Sequence, residues 1–328
     1  MNTTIKKIGD SGVFGVASAF LVLFAICCIL FADKGFFTYV SVANLLRKVA
    51  IDGGMLALGV TFVMLTGCID LSVGSILGLS GVVGAMAAPV NPMLGIAVGV
   101  LVGLLCGLLN GFLVAKLQIL PFVATLATML GIRGFVFIIT GKVTVSINDD
   151  RVFSSIANTD FFGISSLVFI FFAMVVVCSH IARNTKFGMA LYAVGGNEEA
   201  ARMMGLRVDA VKIKAYAACG ICAGLNGVLL ASRLNAGQAV AGEAWEMIAI
   251  ASAALGGVKM TGGVGKFAGT MFGALIVSTI NTLFNYAGNV NIWWQRILMS
   301  VILLVSVMIQ SDVFKIPSFG TKKKLGTG

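Results

Sequence analysis

The chain has 328 residues, of which 59% are hydrophobic and only 11% charged, with a mean hydropathy of +1.03 and a formal net charge of +10. A soluble domain is about 45–50% apolar, so this composition excludes a soluble globular enzyme and leaves an integral membrane protein. No sizeable soluble domain fits between the apolar runs.

Those runs are about 20 residues long, the length a helix needs to cross roughly 30 Å of hydrocarbon. The alternating strands of about 10 residues that would mark a β-barrel are absent from the pattern. The expected fold is therefore all-α: a single transmembrane domain over 1–328 with about ten spans. In chain order these are Val13–Phe31, Val49–Leu65, Leu71–Ala88, Met93–Ala115, Ile119–Thr140, Ser165–Ala182, Val211–Ser232, Ile248–Gly262, Val264–Tyr286 and Ile292–Gln310. The first follows Lys6 and Lys7, as a secretory leader would, but it is longer than a leader core and lacks an Ala-x-Ala site. It reads as a span.

Between the second and third spans stands Thr66-Gly-Cys-Ile-Asp-Leu-Ser-Val-Gly74. Thr66, Gly67 and Asp70 are expected to form a turn at a membrane boundary. Asp70 would then cap the next helix by accepting from the amide of Ser72 or Val73. The fourth span carries Gly99, Gly103, Gly107 and Gly111, a spacing that lines one helix face with hydrogen and permits close packing, inside one chain in the favoured reading and at a dimer seam in the alternative. The fifth holds Arg133, and the segment 141–164 is expected to be the longest external loop.

Catalytic sets are missing. His180 is the single histidine, which excludes a haem or metal site built on two histidines of this chain. No catalytic residue, metal ligand or cofactor is expected. All seven cysteines fall in apolar runs, so Cys219-Gly-Ile-Cys222 reads as small packing residues. Met260-Thr-Gly-Gly-Val-Gly265-Lys266-Phe267 fails the phosphate-loop pattern at both ends, so ATP, if used, binds another chain. Few ionisable groups lie inside the spans, whereas Asn110, Asn281 and Asn285 are polar and uncharged. They are candidates for lining a path for a neutral solute, although bonding between helices would also account for them. The alternative of an ion-coupled secondary carrier would need more buried charge. The eighth span is short enough to be a re-entrant or broken helix.

The segment 183–210 is the most charged internal loop. In it Asn197 suits an N-cap, Glu198 and Glu199 complement the positive helix end, and Arg202 lies toward the far end. A short amphipathic helix over about Glu198 to Met204 follows, able to insert in a groove of a cytoplasmic partner or to lie on the membrane. Counting Lys and Arg with the N-terminus inside places fifteen on the cytoplasmic side and six outside, which sets both termini in the cytoplasm. Orientation and anionic lipid then account for the positive charge, and no nucleic-acid partner is needed.

Four stretches, in order along nearly the whole chain, resemble one family. They are Thr66 to Gly74, Phe122-Val-Ala-Thr-Leu-Ala-Thr-Met129 with Arg133-Gly134, Gly195-Gly-Asn-Glu-Glu-Ala-Ala-Arg202 with Gly205, and Leu255-Gly-Gly257 followed by Gly262-Gly-Val-Gly265. The family is that of the permease subunits of bacterial ABC importers for monosaccharides of the ribose, galactose, xylose and arabinose type. The resemblance implies a type II-like permease in the bacterial inner membrane. It also implies a second permease subunit, identical or different, cytoplasmic ATP-binding subunits and an external sugar-binding protein. Asn197, Glu198, Glu199, Ala200, Ala201, Arg202 and Gly205 would then form the coupling helix that receives ATPase motion. The chain departs from the family pattern after Glu246, where Ile248 replaces an acidic residue.

Overall fold

The computed structural model describes residues 2–147, 151–288, 291 and 293–310. The C-terminal lysines Lys315, Lys322, Lys323 and Lys324, which enter the Lys and Arg count above, lie outside the described residues.

The described chain is almost wholly helical. Helix α1 (Asn2–Leu30) is followed by α2 (Tyr39–Val49), a π-type turn at Ala50–Gly54 and α3 (Met55–Leu65), which together make one long kinked element. Then come α4 (Val73–Ala87), α5 (Pro92–Ala115) and α6 (Pro121–Thr140), the last two with proline in the first turn, where its missing N–H costs nothing. Asn91 caps α5, accepting from the Met93 and Leu94 amides at 2.8 and 3.3 Å. The rest are α7 (Arg151–Asn158), α8 (Ser166–Asn184), α9 (Lys186–Gly196), α10 (Glu198–Met203), α11 (Val208–Leu234), α12 (Trp245–Leu255), α13 (Phe267–Ala287) and α14 (Trp293–Gln310).

Seven described helices are long and apolar enough to cross a membrane, and three shorter apolar ones, Val73–Ala87, Trp245–Leu255 and Trp293–Val305, stand where the third, eighth and tenth spans were expected. The second span begins earlier than expected, at Tyr39. At 15 residues α4 is about 22 Å long, and at 11 residues α12 is about 16 Å. Both are shorter than a bilayer core.

The centre is built on glycine. Gly99, Gly103, Gly107 and Gly111 of α5 are all buried, and they face α11 at backbone distance. A Cβ on Gly103 would meet the Gly220 carbonyl and the Gly224 Cα, and one on Gly107 would meet the Tyr216 carbonyl. Without a hydrophobic drive between helices in lipid, such close approach supplies the dispersion contact that holds them. On the other side of the bundle a Thr61–Thr270 hydroxyl pair at 2.9 Å and the rings of Phe62 and Phe267, 4.6 Å between centroids, join α3 to α13.

The segment 141–164 contains α7, which is anchored rather than loose. Ser232 donates to the Phe153 carbonyl and accepts from the Ala157 amide, and Asn158 donates to the carbonyls of Ser232 and Arg233. Strand β1 (Val145–Ser146) pairs antiparallel with β4 (Ala236–Gly237), and β2 (Asp160–Phe161) with β3 (Ile164–Ser165).

Candidate functional site

At one end of the bundle three glycine turns meet. The Gly263 amide donates to the Leu65 carbonyl at 3.0 Å. A Cβ on Gly195 would land on that same carbonyl and on the Gly263 amide nitrogen, and one on Gly262 would lie 2.7 Å from the Gly67 nitrogen and 2.9 Å from the Gly195 Cα. The Tyr192 hydroxyl donates to the Gly265 carbonyl at 2.9 Å. Backbones at these distances move together, because no side chain lies between them to deform.

Helix α10 sits directly after this junction. Asn197 is its N-cap, with Oδ1 accepting from the Ala200 amide at 2.9 Å. Gly205, at φ +83°, ends it, the amides of Gly205 and Leu206 closing on the Arg202 and Ala201 carbonyls. Ala201 is fully buried, Glu199 and Ala200 are exposed, and Met203 and Met204 stand 86% and 71% exposed. The methionines thus form an unpartnered apolar tip on a helix that is otherwise polar.

An ion-pair ladder fixes the helix to the bundle. Lys212 meets Glu198 at 2.7 Å, Arg202 meets Glu198 at 3.3 Å and Asp209 at 3.7 Å, and Lys116 meets Asp209 at 3.0 Å. A shallow cavity of about 260 Å³ opens beside it, lined by Gln118, Pro121, Glu198, Arg202, Asp209 and Lys212 among others. Glu198 and Arg202 were legible as helix-end charges; their anchors Lys116, Asp209 and Lys212 were not singled out. Asp209 in the first turn of α11 and Lys116 at the end of α5 occupy dipole-favourable positions. That was the one available signal.

The hydrogen bond from Lys212 holds the Glu198 carboxyl below its usual range, outweighing its partial burial. A carboxyl with a depressed folded-state value stabilises docking above its ordinary value of about 4.3 and loses that contribution only as pH falls through the lowered one. Hydrogen exchange of the α10 amides should therefore be flat from pH 7 to about 5, after correction for intrinsic rates, and quicken only in stronger acid.

Deeper in, Asp70 is completely buried and its Oδ1 accepts from the Ser72 amide at 2.9 Å and the Ser72 hydroxyl at 2.6 Å. The cap position of α4 belongs to Ser72, not to Asp70, since the helix begins at Val73. Asp70 shapes the turn that leads into it. Thr66 donates its hydroxyl to the Val63 carbonyl and Gly67 adopts φ +77°, so the turn starts as a glycine-ended helix terminus.

The three asparagines do not converge. Asn110 is fully buried and donates to the Ser72 hydroxyl at 2.7 Å, which makes it a tie between α5 and the 66–72 turn rather than the lining of an open path. Asn281 is buried and Asn285 exposed on α13, which packs against α1, α2 and α12. The spacing of one turn was right for a shared face, but the two residues differ in exposure because that face passes out of the bundle.

The comparisons with known proteins agree along the chain. Residues 41–307 match the family model described as the permease component of the branched-chain amino acid transport system. The chain belongs to this permease family. Among its relatives, the ribose import permease RbsC of Bacillus subtilis is 39% identical over 94% of this chain and 97% of its own length. RbsC of Escherichia coli K12 is 35% identical over 89% and 92%. The L-arabinose transport permease AraH of the same strain is 35% identical over 90% and 89%. No solved structure matches. The bundle described above is thus a transport permease subunit, as its relatives are.

Proposed function

We propose that the chain is the membrane permease of an ATP-driven ABC importer, forming with a second permease subunit the translocation path for a monosaccharide or similar small polyol. The observation that carries this reading is similarity over nearly the full length to permeases named for ribose and for arabinose. The α10 end then faces the cytoplasm of an inner-membrane protein, both termini lie on that side, and separate ATP-binding subunits dock on Met203 and Met204. An external binding protein delivers the sugar at the opposite end. Helix α10 suits the docking role because it is rigidly capped and ion-paired on its inner side and apolar at its tip.

Reconstitution in vesicles with its ATP-binding and sugar-binding partners, and ribose as the probe, tests this. ATP-dependent uptake by the complex is expected, with no ATP hydrolysis by this chain alone. Uptake driven by a proton or sodium gradient without ATP, or hydrolysis by the isolated chain, would overturn it.

A further inference from the structure

Arg133 sits twelve residues into α6, among apolar neighbours, and its guanidinium is spent entirely on backbone. Nη1 donates to the carbonyls of Ala239 and Ala241, both at 2.8 Å, and Nη2 to the Gly74 carbonyl at 3.3 Å. The space it uses exists because α4 has no side chains there. A Cβ on Gly78 would stand 2.9 Å from Nη1, and one on Gly74 would meet the Gly242 carbonyl and lie 2.7 Å from Glu246 Oε2. Glu246, in the first turn of α12, is buried against the same glycine face of α4. Glu246 therefore belongs to the bundle interior.

Two short helices thus begin at one interior point, α4 at Val73 and α12 at Trp245, and a single arginine from a third helix gathers their leading backbones. From that point α12 runs to the 256–265 turn, which lies against Gly195 and Gly196 immediately before α10. The contacts are continuous, from helix to turn to helix, with backbone or guanidinium at each junction.

We propose that Arg133 is a positioning residue that makes α6 move with α12, so that displacement of the α10 junction is transmitted through α12 to α6 in the bundle interior. A fork of donors is required, because three carbonyls from two segments are held at once; a lysine ammonium is a point donor that cannot span them. In its transport arm the inference rests on the permease reading, while its exchange arm does not.

The test compares the assembled complex carrying the natural chain, Arg133→Lys or Arg133→Gln in lipid nanodiscs, by hydrogen exchange and, in vesicles, by ribose moved per ATP hydrolysed. Arg133→Gln is expected to raise exchange of the 239–242 amides and also of the distant 262–265 amides. It should lower ribose moved per ATP by about fivefold or more, the lower edge of measurable site coupling, while hydrolysis continues. Arg133→Lys should fall between. Exchange that changes at 239–242 alone, or an unaltered ratio of ribose to ATP, would overturn the transmission; so would failure of both variants to assemble, which would make the residue a folding brace. A natural complex that moves no ribose would count against the permease reading, and the exchange pattern would still decide the role of Arg133.

Discussion

Replacing Gly103 by leucine should abolish folding of the bundle. The Cβ position of Gly103 already falls against the Gly220 carbonyl and 2.7 Å from the Gly224 Cα, and the partner glycine is no freer, since a Cβ on Gly220 would strike the Gly103 carbonyl. Neither wall can yield by a rotamer change, because both are main chain. Overpacking a core commonly costs about 1–3 kcal/mol when neighbours relax, so a leucine held between two helix backbones should exceed that range and force α5 and α11 apart. Even Gly103→Ala should lower the thermal midpoint of the purified chain in detergent. Gly131→Ala is the matched control: its added Cβ meets nothing within 4 Å, and alanine is the better helix former by roughly 0.5–1 kcal/mol. An unchanged midpoint for Gly103→Ala would mean that the α5–α11 seam is looser than its geometry.

That seam was readable in the sequence because a four-residue glycine period has one physical use in an apolar helix. The capped helix at Asn197 was readable for a similar reason, since its cap, its acidic first turn and its glycine stop are local features. Arg133, Gly74, Gly78 and Glu246 were not readable as a unit. They come from three helices, and the backbone carbonyls that Arg133 binds carry no side-chain signature at all. The 236–244 segment, with its Gly and Ala residues and Glu243, has the composition of an exposed loop, and only its burial against α4 reveals that it enters the bundle. Asn110 was readable only as one of two things. A polar residue in an apolar helix marks either a path or a tie, and what decides between them is the partner, here the Ser72 hydroxyl 38 positions earlier.

The same partner determines what Asp70 does, and substitution there should separate shape from charge. In Asp70→Asn one side-chain oxygen remains to accept from the Ser72 amide and hydroxyl, which in turn lets Ser72 go on accepting from Asn110. Folding and most transport should survive. Asp70→Leu keeps the branched skeleton with bulkier methyl ends but removes the acceptor, leaving the Ser72 amide and hydroxyl to find new partners in a place with no solvent exposure. Each buried donor stranded in this way costs about 1–3 kcal/mol. Two of them, at a turn that sets where α4 starts and hence where Gly74 and Gly78 present themselves to Arg133, amount to a loss of several kcal/mol. The leucine variant should accumulate poorly and melt early, while the asparagine variant should stay close to the natural chain in both yield and thermal midpoint. If instead the asparagine variant folds normally but the complex loses transport, the carboxylate charge itself would be needed for function, and Asp70 would join the transport machinery rather than the frame that holds α4.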